Sequence, residues 1–256
     1  MKIFPIGTSR LHEPLGLISD NVNFPSFGYF HSPTQIKDLL SILLGERHLS
    51  VAEARFFFRK DQTPHNKFQS TFWQEGLASK EAFQKARLMF EDSDVVIVEI
   101  SSIKSFMVNG LAVQGNPNFY HNIPYKDIWN RNYYEDYHPE VSSCQVTDES
   151  EVVSLFEHLS NICSLKGKRA IVLGHLVDPK QPNTTRKTLN TLLAEAALDF
   201  AELHYFDTEH LVDEFGFRIL ENGTTDIHHL PWDGLEVFSK SLLKVAREMC
   251  TEKLST

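Results

Sequence analysis

Short runs of consecutive apolar residues alternate with stretches of helical periodicity along this chain. Residues 3–6 form the first run, and 54–58 a weaker second containing three consecutive phenylalanines. Residues 94–100 form the clearest, and runs at 170–173 and 201–206 follow. Continuous rather than alternating apolarity predicts strands covered on both faces, as in parallel sheets. Between the runs, residues 34–44 place Ile36, Leu39, Leu40 and Leu43 on one helical stripe, with Pro33 as a start signal. Helical patterns also cover 79–90, 149–165, 186–197 and 234–249. A β-α unit repeated about five times predicts an α/β three-layer sandwich around a mainly parallel five-stranded sheet.

Between about residues 105 and 146 the pattern lapses. This stretch is rich in Asn, Tyr, His and Pro, as in Asn116-Pro117-Asn118-Phe119-Tyr120-His121-Asn122. It is expected to be a loop-rich insertion in a single domain spanning 1–256: a lid or binding loop, or a packed surface excursion.

Composition narrows the function classes. The chain has 256 residues, 41% hydrophobic and 23% charged, enough for a large buried core. A formal charge of -9 and the absence of a basic stripe argue against a nucleic-acid partner. Three widely spaced cysteines, Cys144, Cys163 and Cys250, with no CxxC, suit neither a disulfide framework nor a zinc knuckle. The first residues already read as a strand, and no 18-residue apolar run occurs. The expectation is a cytoplasmic protein with no membrane insertion. Oligomeric state is not legible.

Two segments carry candidate chemistry. Gly7-Thr8-Ser9 ends the first predicted strand, where a strand-to-helix turn can expose the Ser9 hydroxyl and present backbone N–H groups. The structural alternative is a turn serine or helix cap. Near the other end, Asp226 stands three residues before His229, and Gly234 five residues after it. At that spacing a carboxylate can hold one imidazole nitrogen and leave the other for a serine. The alternative is an acid and a histidine at a helix start. His228 competes with His229 for the role of base. No metal motif such as HExxH accompanies the pair, and no cofactor is expected. His175 and Asp178 follow the run at 170–173, at the sheet edge where doubly wound folds bind ligands. They are candidates for substrate contact or for capping a loop.

A serine at the end of the first strand, and Asp-x-x-His-Leu with glycine five beyond the histidine, resembles the SGNH/GDSL hydrolase superfamily. The resemblance implies the strand order 2-1-3-4-5, with Ser9 as nucleophile, His229 as general base and Asp226 as its partner. Its oxyanion donors would be the N–H groups of Ser9 and Gly28. His31, near Gly28, is, like His175, a candidate for substrate contact or for capping a loop. The family has Asp where this chain has Thr8. After Ile100, Ser101-Ser102 stands where the family has a Gly-x-Asn-Asp block. Ser101, Ser102 or Asn109 is then the candidate replacement for the missing asparagine. The pattern is similar to divergent SGNH-like proteins associated with surface-polysaccharide biosynthesis, which implies a carbohydrate ester such as an O-acetyl sugar.

The expected function is therefore a serine esterase acting on a small-molecule or carbohydrate ester. The alternatives are an O-acyltransferase using the same triad, or a non-catalytic carbohydrate-binding protein on the same fold.

Overall fold

A computed structural model of the chain describes residues 1–25, 29–49, 57, 76–102, 104–108, 110–113, 141–146, 149–180 and 184–252. Four parallel strands form the main sheet: β1 (Ile3–Ile6), β2 (Val95–Glu99), β6 (Arg169–Leu173) and β7 (Leu203–Tyr205), in the order β1-β2-β6-β7. Ile3 pairs with Val95, Val95 with Arg169, and Ala170 with Leu203. This is the expected order for the four strands described. Of the run expected as a fifth strand, 54–58, only Phe57 is described, and it has helical backbone in the core. The rest of that run lies outside the described residues.

The sheet is apolar on both faces because both are covered. Successive strand residues point to opposite sides. Phe4, Ile6, Val96, Val98, Ala170 and Val172 enter one core. There they meet α2 (Pro33–Leu44), α3 (Gly76–Glu91), α4 (Glu149–Lys166) and α5 (Thr184–Ala197). Ile3, Val95, Ile97, Ile171 and Leu173 enter the other. That side is closed by α1 (Ser9–Gly16), α6 (Glu209–Phe215) and α7 (Trp232–Glu252), the last burying Leu235, Phe238, Leu242 and Ala246. The result is the expected three-layer sandwich. Among the described residues no helix is long and apolar enough to cross a membrane.

Two segments hold short strands that the apolar periodicity does not mark. Of the interval 105–146, expected to be a loop-rich insertion, the described residues carry β3 (Lys104–Val108), β4 (Leu111–Val113) and β5 (Val141–Val146), and residues 114–140 lie outside the described residues. They form an antiparallel sheet in the order β4-β3-β5. Strands this short, one of them Val-Ser-Ser-Cys-Gln-Val, hold too few apolar residues to register as periodic. The second is a hairpin ahead of α7, β8 (Arg218–Ile219) and β9 (Thr225–Asp226), in which Arg218 pairs with Asp226. Gly223 closes its turn at φ 79, a left-handed conformation that glycine adopts without steric cost.

Candidate active site

Parallel strands deliver their C-terminal ends to one edge of the sheet. At that edge β1 runs into Gly7-Thr8-Ser9, β2 into Ile100-Ser101-Ser102, and β6 into Gly174-His175. The site is built there.

Ser9 opens α1. Thr8 is its N-cap, with a side-chain oxygen that accepts from the Arg10 N–H. Ser9 therefore occupies the first helical position, where the backbone N–H has no intrahelical partner. That amide has no acceptor among the described residues. It points from a helix N-terminus, a setting that favours developing negative charge.

The cap is fixed from below by a carboxylate. Glu99 ends β2 and is fully buried. It accepts from the Thr8 N–H at 2.7 Å and from the Thr8 hydroxyl at 2.7 Å, and it pairs with Arg10 Nε at 2.7 Å. A Cβ on Gly7 would lie 2.7 Å from Glu99 Cβ and 2.8 Å from its Oε2, so the close approach of strand end to carboxylate requires glycine. Thr8 thus joins the turn to the neighbouring strand.

The Asp226–His229 pair is shaped locally. The Asp226 Oδ1 accepts from the His228 N–H at 3.0 Å, and the Asp226 carbonyl accepts from the His229 N–H at 3.3 Å. This turn leaves Oδ2 facing His229 Nδ1 at 2.7 Å. Burial raises the Asp226 pKa. Hydrogen bonds from His229 and the His228 N–H outweigh it and hold the carboxyl below its ordinary range. The other ring nitrogen, His229 Nε2, lies 2.9 Å from Ser9 Oγ. Ser9, His229 and Asp226 thus form one continuous relay across 220 residues of chain. Asp226 on Nδ1 selects the tautomer with the proton there, leaving Nε2 to accept from the serine.

The His228 ring meets Arg186 rather than Ser9. Its Nδ1 lies 3.4 Å from Arg186 Nη2, and Arg186 also donates to the Ile227 carbonyl at 3.0 Å. Burial lowers the His228 pKa, and Arg10 and Arg186 push it lower still. Of the two adjacent histidines, His229 alone reaches Ser9 here.

Arg10 extends along the sheet edge from Glu99 to His175, whose Nδ1 lies 2.9 Å from Arg10 Nη1. A guanidinium only donates, so His175 Nδ1 is the acceptor and the ring is neutral. Burial and then the arginines push its pKa down to about 2. The His175 backbone is held by Asn190, which accepts from its N–H and donates to its carbonyl, both at 2.9 Å, and by Thr208. A Cβ on Gly174 would collide with the Asn190 amide. Asp178 caps a turn, accepting from the Lys180 N–H at 2.9 Å.

Gly28 and Asn109 lie outside the described residues. The N–H groups of Ser101 and Ser102 both donate to the His31 carbonyl, at 2.9 and 3.0 Å. The Ser101 hydroxyl sits 3.0 Å from His31 Nδ1. Burial lowers the His31 pKa to about 4, against a smaller opposing pull from Glu99, so that ring is also neutral near pH 7. A proton on His31 Nδ1 frees the Ser101 hydrogen for another acceptor, and the opposite tautomer occupies it.

Sequence reasoning overlooked Glu99, Arg10, Glu13 and Arg218. The first had a readable signal: a lone carboxylate at the end of an otherwise apolar, doubly covered strand must find partners. Glu13 and Arg218 join each other at 2.5 Å beside the relay, and nothing in their spacing announces it.

No curated protein matches this chain. Residues 1–124, which carry Ser9, Arg10, Glu13 and Glu99 but not Asp226 or His229, match the family described as the TviD N-terminal domain.

Proposed function

We propose that this chain is a serine esterase of SGNH type, acting on an acyl ester carried by a carbohydrate. The observation that carries the reading is the relay of Ser9 Oγ to His229 Nε2 at 2.9 Å and His229 Nδ1 to Asp226 at 2.7 Å. In the proposed reaction His229 takes the Ser9 proton as Oγ attacks the acyl carbon, and Asp226 stabilises the imidazolium. The Ser9 N–H donates to the oxyanion. As the carbon–oxygen bond to the leaving alcohol breaks, His229 returns the proton to it. Water, activated by the same nitrogen, then hydrolyses the acyl-enzyme.

Support for a carbohydrate ester comes from the match to a domain associated with Vi antigen biosynthesis, which points to polysaccharide biosynthesis. The cysteine usage, three widely spaced cysteines with no CxxC, supports a cytoplasmic site of action. An alcohol in place of water makes the same machinery an O-acyltransferase. A non-catalytic carbohydrate-binding role is favoured by one observation, the Ser101 hydroxyl lying 3.0 Å from His31 Nδ1, which in one tautomer takes up its hydrogen.

The test is covalent labelling by a fluorophosphonate probe. Labelling mapped to Ser9, and abolished in Ser9→Ala, is the expected result. A folded wild-type protein that stays unlabelled at millimolar probe would replace the esterase reading with the binding one.

A further inference from the structure

Glu13 lies one helical turn beyond Ser9 on α1, so the two side chains share a face. Its Oε1 stands 3.8 Å from His229 Nε2, the nitrogen that also meets Ser9 Oγ. Its Oε2 is 2.5 Å from Arg218 Nη2. Arg218 makes three further connections. Its backbone N–H donates to the His229 carbonyl at 2.9 Å, its Nε donates to the Leu230 carbonyl at 3.2 Å, and it is the cross-strand partner of Asp226. One residue thus touches the hairpin that carries Asp226, the carbonyls of His229 and Leu230, and the helix that carries Ser9.

Magnitude argues against a purely stabilising role. The Arg218 and Glu13 side chains are 30% and 37% exposed, and a pair so open to solvent adds little to stability. Its placement matters more than its strength. The nucleophile and the base come from opposite ends of the chain, and the relay requires their separation to hold within a fraction of an ångström.

We propose that Glu13 and Arg218 are positioning residues for the triad: Arg218 seats the Asp226–His229 turn on the nucleophile helix, and Glu13 Oε1 steers His229 Nε2 toward Ser9. The idea rests on the serine-nucleophile reading for its catalytic consequence. The charge sequence follows from the geometry. Before reaction the relay holds one proton on Ser9 Oγ and one on His229 Nδ1. When the Ser9 proton moves to Nε2, the imidazolium stands between two carboxylates, Asp226 on Nδ1 and Glu13 beside Nε2. Glu13 attracts the new N–H without taking its proton, which goes on to the leaving alcohol.

The test compares wild type with Glu13→Gln, Arg218→Gln and Arg218→Lys. Three readouts are taken: the Ser9 labelling rate with a fluorophosphonate, the nitrogen-15 signals of the His229 ring, and the melting temperature. Glu13→Gln and Arg218→Gln are expected to slow the maximal labelling rate, by up to about 10²-fold for a misplaced base, with the half-saturating probe concentration unchanged. Arg218→Lys should recover part of the loss, because one ammonium reaches Glu13 but not Glu13 and the Leu230 carbonyl together. Variants that melt like wild type and label at the wild-type rate would overturn the proposal. Should wild type itself fail to label, the esterase reading falls, and the ring signals decide the tether alone. A changed His229 Nε2 signal in Glu13→Gln supports the seat, and an unchanged one overturns it.

Discussion

Replacing Glu99 with glutamine keeps the side chain's shape and removes its charge. Three donors converge on this carboxylate, the Thr8 N–H, the Thr8 hydroxyl and Arg10 Nε, each at 2.7 Å. An amide offers one oxygen, so at least one donor in Glu99→Gln must face an NH2 group. Arg10 would remain, 9% exposed, without its counter-charge. Removing one partner of a buried pair costs about 3–5 kcal/mol, because the other charge stays buried and uncompensated. For a chain of this size each kcal/mol moves the melting temperature by about 2–4 °C, which puts the expected drop at about 6–20 °C. Urea unfolding followed by circular dichroism at 222 nm reads the free energy. The double variant Arg10→Gln/Glu99→Gln should lose less than the sum of the two single changes, since the charges act on each other. Because Glu99 holds the Thr8 cap, Ser9 labelling should slow in the folded fraction as well. A loss below about 1 kcal/mol, the range of a surface pair, would show that Glu99 does not hold the nucleophile turn in place.

Further outcomes follow from the same geometry. Ser9→Ala should melt like wild type and lose turnover of a short-chain aryl ester, on the scale of ~10⁶ for a nucleophile knockout; equal turnover in the two proteins would remove Ser9 as nucleophile. Asp226→Asn should lower the acylation rate ~10⁴-fold by favouring the wrong His229 tautomer, and single-turnover kinetics measure it. Ser101→Ala and Ser102→Ala separate the oxyanion candidates, since loss of a true donor lowers acylation ~10²–10³-fold with little change in binding. Acid should destabilise the fold through His31 and His175, whose folded pKa values of about 4 and about 2 lie below the ordinary 6.5. The unfolded chain binds the protons first, so stability is full above about pH 6.5 and falls by at most about 1.4 kcal/mol per pH unit per histidine below it. Both contribute down to about pH 4, and His175 alone below that. Urea midpoints between pH 7 and 5 should fall less steeply in His175→Gln, and identical slopes would argue against a neutral, half-buried His175.

What the sequence determined was local. Unbroken apolar runs marked β1, β2 and β6, because a strand covered on both faces has no polar position to alternate with. The Asp226-x-x-His229 spacing put their contact within reach, since a single turn can bring a carboxylate to an imidazole three residues on. The apolar stripe of α7 was visible for the same reason. Tertiary structure decided the rest. His228 and His229 are adjacent in sequence, and only the packing of their turn sends one ring to Arg186 and the other to Ser9. Glu99 meets Thr8 across 91 residues, and Arg218 meets Glu13 across 205. The pairing of β3 with β5 was hidden in the same way. Periodicity records how each segment meets a core, not which distant segment supplies the partner, and a polar pair joined only by the fold leaves no periodic trace in the chain.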